Sequence, residues 1–139
     1  MTVITKALQV KTKGELQMIN ITEDISKIVK ESKISDGVAT VFVSGSTAAV
    51  TTIEYEPGLL NDFPDMLERI APKDMNYEHE NMWHDGNGHS HVRASLLGPS
   101  LTVPFTNKQL TLGTWQQIVL IELDTRSRDR SIIVQMIGE

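Results

Sequence analysis

Along TVITKALQVKTK, residues 2 to 13, apolar and polar positions alternate and β-branched residues are frequent, which predicts a strand. Gly14 interrupts the run before ELQMINIT predicts a second strand. The period then changes. In TEDISKIVKESKI, Ile25, Ile28 and Val29 share one helical face, Thr22 can cap, and Glu23 and Asp24 suit the positive end of a helix that Asp36-Gly37 stops. GVATVFVSGSTAAVTTIEYE predicts a strand over 38–43, a break of small polar residues, and another strand running to Glu54. Pro57 suits the first turn of a second helix, in which Leu60, Phe63, Met66, Leu67 and Ile70 recur every three or four residues until Pro72 ends it. From Leu101 onward LTVPF, QLTLGTWQQIVLIELD and SIIVQMIG predict strands, with TNK and TRSRDR as turns. Two early helices, late strands and no long helical crossover make this an α+β chain with a mostly antiparallel sheet.

Length and composition narrow the picture. At 139 residues, with 40% apolar and 22% charged side chains, one globular domain with its own core is expected. The net charge of −5 disfavours a phosphate backbone, so nucleic acid is not an expected partner. No run approaches the roughly 18 to 20 apolar residues of a membrane helix, and no signal peptide is apparent, so no membrane partner and a cytoplasmic location are expected. The absence of cysteine excludes disulfides and thiolate ligands.

Every histidine falls in NYEHENMWHDGNGHSHVRASLLG, residues 76–98, at His79, His84, His89 and His91. His89 and His91 are two apart, so their rings share a face only if the backbone is extended. The preceding Gly86-Asn87-Gly88 favours such an approach, and His79 can fold back across a loop as a third ligand. Three imidazoles with an open fourth position form a known catalytic Zn²⁺ arrangement. Asp85, Glu78 and Glu80 are further candidate ligands or partners that fix a ring's tautomer. His84, beside Trp83, has no assigned role. Solvated or hydrogen-bonded histidines are the plain alternative.

Three other features carry chemistry. SGSTAAV, with Ser46 and Thr47, can form a backbone nest for a phosphate, or is simply a turn of small residues. Glu54, closing its strand beside Tyr55, is a candidate general base. RSRDR, residues 126–130, can hold a phosphorylated ligand bidentately or can protect a sheet edge. Trp115, in GTWQQ, is expected in core or subunit-interface packing.

VFVSGSTAAV followed by Glu54, YEH at 77–79, NGHSHVRASLLGPSLTVPF at 87–105, KQLTLGTWQQIVLIELD at 108–124 and the closing RSIIVQMIGE together resemble the YjbQ-like family over nearly the whole chain. The resemblance implies a small cytoplasmic α+β protein built as an antiparallel β-sandwich, assembled as a homotrimer, and linked to a secondary thiamine-phosphate synthase activity. It therefore implies a phosphorylated small-molecule substrate. Carried over by position, the family's residues match Glu54, His79 and His91. Where many members have His-Thr-Thr-Ala, this chain has Gly45-Ser46-Thr47-Ala48, and His89 is expected to replace the missing imidazole.

The expected site therefore has His79, His89 and His91 on a divalent metal and Glu54 moving a proton. Ser46 and Thr47, with Arg130 or Lys108, would steady a phosphate or pyrophosphate. Imidazoles suit Zn²⁺, whereas a pyrophosphate leaving group usually travels with Mg²⁺. A non-catalytic trimer that sequesters metal or a phosphometabolite needs the same pocket without the proton carrier. Histidines that only pair subunits are a third alternative.

Overall fold

Strands β1 (Thr2–Lys11) and β8 (Asp129–Gly138) pair antiparallel along their whole length, with Thr2 opposite Gly138 and Lys11 opposite Asp129. The two ends of the chain thus lie side by side in the computed structural model, which describes residues 1–139. β3 (Gly37–Val43) takes the other edge of β8, followed by β5 (Ser100–Thr106) and the short β6 (Gln109–Leu110). The result is a five-stranded sheet in the order β1-β8-β3-β5-β6. A second sheet contains β2 (Met18–Asn20), β7 (Gln116–Glu122) and β4 (Ala48–Glu54), in the order β2-β7-β4. All pairings in both sheets are antiparallel. The helices are α1 (Thr22–Glu31), α2 (Pro57–Ile70), α3 (Glu78–Trp83) and α4 (Gly88–Leu97). None is long and apolar enough to cross a membrane.

The α+β class, single domain and β-sandwich expected from the sequence all hold. Val41, Val43, Val50, Ile118, Leu120, Ile132 and Val134 meet between the sheets as one buried cluster. β7 explains why its sequence does not alternate. Ile118 and Leu120 point into the sandwich, while Val119, Ile121 and the following Leu123 point outward onto Leu67 of α2 and Ala94 of α4. A strand buried on both faces reads as a continuous apolar run. Burial of a side chain such as Leu67 is worth about 2 to 5 kcal/mol against truncation to alanine.

Three details differ from expectation. The stretch from Gln109 to Asp124 is not one strand, because Asn107 and Lys108 take left-handed φ values of 51° and 61° and turn β5 tightly into β6. The chain then leaves the five-stranded sheet to enter the other one as β7, so no single strand can span both. Thr22 does not cap α1. Its hydroxyl donates to Asn20 Oδ1 and accepts from the Ile118 N–H, which fastens the helix start to β7. Finally there are four helices rather than two, the additional pair falling within the histidine-rich stretch.

Candidate metal centre

The histidine-rich stretch is helical because its glycines and carboxylates build a helix start. The Glu80 carboxylate accepts from the Gly86 N–H at 2.7 Å and the Gly88 N–H at 2.6 Å. A negative charge at this end of α4 also complements the helix dipole. Gly88 is required by packing, since a Cβ there would lie 2.6 Å from the Tyr77 Cβ and 2.8 Å from its Cγ. Asn87 Oδ1 accepts from the Ser90 hydroxyl and from the Thr125 N–H, tying the first turn to the loop after β7. α4 therefore begins directly against Tyr77, beside α3.

This corrects the expected ligand set. On a helix, residues two apart point to nearly opposite sides. His89 turns into the protein, where it is buried, lies near the Tyr77 ring and bonds Glu15 through Nε2 at 2.7 Å. Glu15 in turn pairs with Lys73. Burial raises the Glu15 pKa, but its bonds to Lys73 and His89 outweigh that and hold it below the ordinary value. His89 is thus committed to a structural pair and does not join the other imidazoles.

His91 points the other way and meets His79, with ring centroids 4.6 Å apart. The third member is Asp85, whose carboxylate lies 3.1 and 3.3 Å from His79 Nε2. One donor atom from each of His79, Asp85 and His91 falls within 4.8 Å of the others, and all three are only partly buried. Metal bonds of roughly 2.0 to 2.2 Å place neighbouring ligand atoms about 3 Å or more apart, so small movements would seat an ion. His91 Nδ1 lies 3.1 Å from the Ser46 carbonyl, to which it can only donate, leaving Nε2 as its lone-pair nitrogen. The Asp85 pKa is lowered, first by the Asn87 N–H and then by His79, which keeps the carboxylate charged. The donor set therefore fits a divalent ion.

Behind the cluster runs a buried polar network that the sequence pattern did not indicate. Asn87 donates to Asp124, which also accepts from the Thr47 hydroxyl, the Arg126 N–H and Arg128 Nε. Burial pushes the Asp124 carboxyl up, but these donors together hold it below its usual range. Next to it, Glu122 accepts from Thr12, from the Asp124 N–H and from Arg130. Glu122 is in phase with Ile118 and Leu120 on β7, and Arg130 with Ile132 and Val134 on β8. The ion pair thus spans the sandwich interior. Charged residues in phase with a strand's core face were its available signal.

The remaining expected residues separate into two groups. Ser46, Thr47 and Arg130 lie beside the cluster: Ser46 holds His91, and Arg130 Nη2 donates to both the carbonyl and the hydroxyl of Thr47. Glu54 does not. It ends β4, six residues beyond Ala48 and about 20 Å along an extended strand, beside Tyr55 and Trp115 in a shallow cleft. Lys108 is also elsewhere, its Nζ donating to the Ser32 carbonyl just past α1. It lines the largest cleft, about 520 Å³, between α1 and residues 107–117. That cleft contains no imidazole or carboxylate, whereas the His79–Asp85–His91 cluster has both. His84 ends α3 in a left-handed conformation, exposed. Trp115 is exposed rather than in the core.

The family model described as "UPF0047 protein YjbQ-like" matches residues 6–139. The chain belongs to this family. A UPF0047 protein of Methanothermobacter thermautotrophicus is 41% identical over 139 residues, spanning 100% of this chain and 95% of the relative. Another, of Archaeoglobus fulgidus, is 37% identical over 128 residues, covering 92% of this chain and 97% of its own. Among solved structures, a YbjQ-like protein of unknown function from Sulfolobus solfataricus aligns with a TM-score of 0.93 at 33% identity, covering 99% of each chain. An uncharacterized conserved protein of the yjbq/upf0047 family from Clostridium acetobutylicum gives 0.86 at 38% identity, covering 95% of this chain and 99% of that one. The YjbQ-like resemblance in the sequence is therefore a family relationship, and the fold is shared over the whole domain.

Proposed function

We infer that the protein is a cytoplasmic, homotrimeric enzyme that uses a divalent metal to act on a phosphorylated small molecule. The convergence of His79, Asp85 and His91 carries this reading. Two imidazoles and one carboxylate, with coordination positions left open, match catalytic zinc and non-haem iron sites. Magnesium, which prefers an all-oxygen shell, fits less well. A bound ion supplies Lewis-acid stabilisation of charge on phosphoryl oxygens. The chain's own residues hold and orient: Ser46 fixes the His91 ring, the Asn87 N–H helps keep Asp85 ionised, and Glu80 secures α4 beside α3.

Within one chain Glu54 is too remote to transfer a proton at this centre. That placement bears on the reaction. In thiamine-phosphate synthesis a neutral thiazole nitrogen forms a carbon–nitrogen bond as the carbon–oxygen bond to pyrophosphate breaks. The electron pair leaves with pyrophosphate and the thiazole becomes a cation, so the displacement requires no general base. The same placement favours a second reading, a binding protein that holds metal and a phosphometabolite without turnover.

The outer face of the five-stranded sheet supports assembly. Val38 lies opposite Ile137 on one side and Pro104 on the other, Ile137 lies opposite Val3, and Phe42 lies opposite Ile133. Outward positions from Val3 to Gln9, 131 to 137, 38 to 42 and 100 to 104 contain no charged side chain. A chain of net charge −5 can bring such faces together without like-charge contact there.

The test is to strip the protein with chelator, titrate it with Zn²⁺, Mn²⁺ and Mg²⁺, and assay pyrophosphate release from an aminopyrimidine pyrophosphate with a thiazole phosphate. One ion per chain and metal-restored turnover are expected. One ion per chain without turnover on a panel of phosphorylated substrates selects the binding protein. Folded protein that takes up no ion sinks both.

A further inference from the structure

Arg130 is 6% exposed, yet one of its nitrogens has no protein partner. Nε and Nη2 hold the Glu122 carboxylate, and Nη2 also donates to the carbonyl and hydroxyl of Thr47 at 3.1 and 2.8 Å. Nη1 makes no such bond, and no fully buried side-chain nitrogen or oxygen in the molecule lacks a partner, so Nη1 reaches solvent. It does so beneath Gly45. A Cβ on Gly45 would sit 2.7 Å from Nη1, and beyond residues 44 to 46 only this guanidinium lies within 4 Å of that position. Gly45 has φ +130°, and Ser44, Gly45 and Ser46 are exposed. The guanidinium is thus fixed by two of its nitrogens and faces outward with the third, through an opening that a side chain at 45 would close.

A fixed guanidinium edge is a strong donor to an oxyanion. The opening adjoins the candidate metal centre, because the next residue, Ser46, binds His91 through its carbonyl. Adjacent Cα atoms are about 3.8 Å apart, so the opening at Gly45 lies one residue along the loop from the carbonyl that holds His91. We propose that Arg130 Nη1 and Gly45 form an oxyanion subsite holding a phosphate of the substrate that the reaction leaves intact. The reacting group then occupies the His79–Asp85–His91 centre. The assignment of the reacting group rests on the metal reading, but phosphate binding at Arg130 does not.

Inorganic phosphate is the probe, titrated by calorimetry into the full chain in both chelator-stripped and zinc-loaded forms. The stripped wild type should bind it. Arg130→Lys keeps a cation for Glu122 but lacks Nη1, and should lose at least about ten-fold in phosphate affinity with zinc stoichiometry unchanged. Gly45→Ala should lose as much by closing the opening, with its fold checked by near-ultraviolet circular dichroism. Arg126→Ala, at an exposed arginine, should stay within about two-fold of wild type. A folded Arg130→Lys or Gly45→Ala variant that binds phosphate as wild type does overturns the subsite. So does a stripped wild type that binds none. Phosphate bound by a protein that takes up no zinc would uphold the subsite and refute the metal centre.

Discussion

The rings of His79 and His91 lie with centroids 4.6 Å apart and planes inclined by 57°, one from the first turn of α3 and the other from the first turn of α4. Alanine at either position should lower zinc affinity at least about 100-fold, the upper end of what loss of a mere supporting residue costs. His89→Ala should leave zinc stoichiometry unchanged and lower the melting temperature, because it removes a bond to Glu15 and packing beside Tyr77. Elemental analysis with a thermal melt separates these outcomes. Zinc lost from folded His89→Ala would reinstate His89 as a ligand.

Glu122 and Arg130 should matter far more to stability than the exposed pairs. Removing one partner of a buried ion pair strands the other, at about 3 to 5 kcal/mol. Glu122→Ala should show a loss of that size in urea unfolding. Both side chains are almost fully buried, at 0% and 7% relative exposure. A variant within about 1 kcal/mol of wild type would mean that solvent extends beyond Arg130 Nη1 into the space of the lost carboxylate and replaces it.

Asp124 should contribute to acid sensitivity. Its folded-state pKa is depressed, so it binds a proton less readily folded than unfolded. Its stabilisation is therefore fully present above the ordinary carboxyl value of about 3.9 and disappears as pH falls through the lower folded value. Asp124→Asn should be less stable than wild type at pH 7, and the gap should narrow below about pH 4. Urea midpoints at pH 7, 5 and 3 measure this. A gap of constant size across that range would show that the charge of Asp124 is not what stabilises the fold.

The trimer proposed above, built through the uncharged outer sheet face, should be one that a single charge can disrupt. Phe42 is exposed on that face, so Phe42→Lys should leave secondary structure intact while shifting the native mass from trimer to monomer. An unchanged mass would place the subunit contact elsewhere.

The strands were legible wherever one face is buried, as in β1 and β8, because alternation records a single core. α1 and α2 were legible for the same reason at a different period. α3 and α4 were not: α4 buries Gly88, His89, Ser90, Arg93 and Ala94, mostly polar or small residues, and leaves Val92 and Leu96 exposed. Its stability comes from Glu80, Asn87 and the fit of Gly88 on Tyr77, which hydrophobic periodicity does not record. The expected ligand set of His79, His89 and His91 depends on an extended backbone here. With an extended backbone His89 and His91 would face one point; on a helix they cannot, and Asp85 completes the group instead. His79 and His91 remained in it because their position depends on how α3 and α4 pack.

β7 is paired on both edges and covered on both faces, and the loop carrying Asp124 leaves directly from its end. Its central amides should be among the last to take up deuterium. Closure of the α3–α4 corner around a ligand would then be a local hinge event anchored on a rigid post, needing no rearrangement of either sheet.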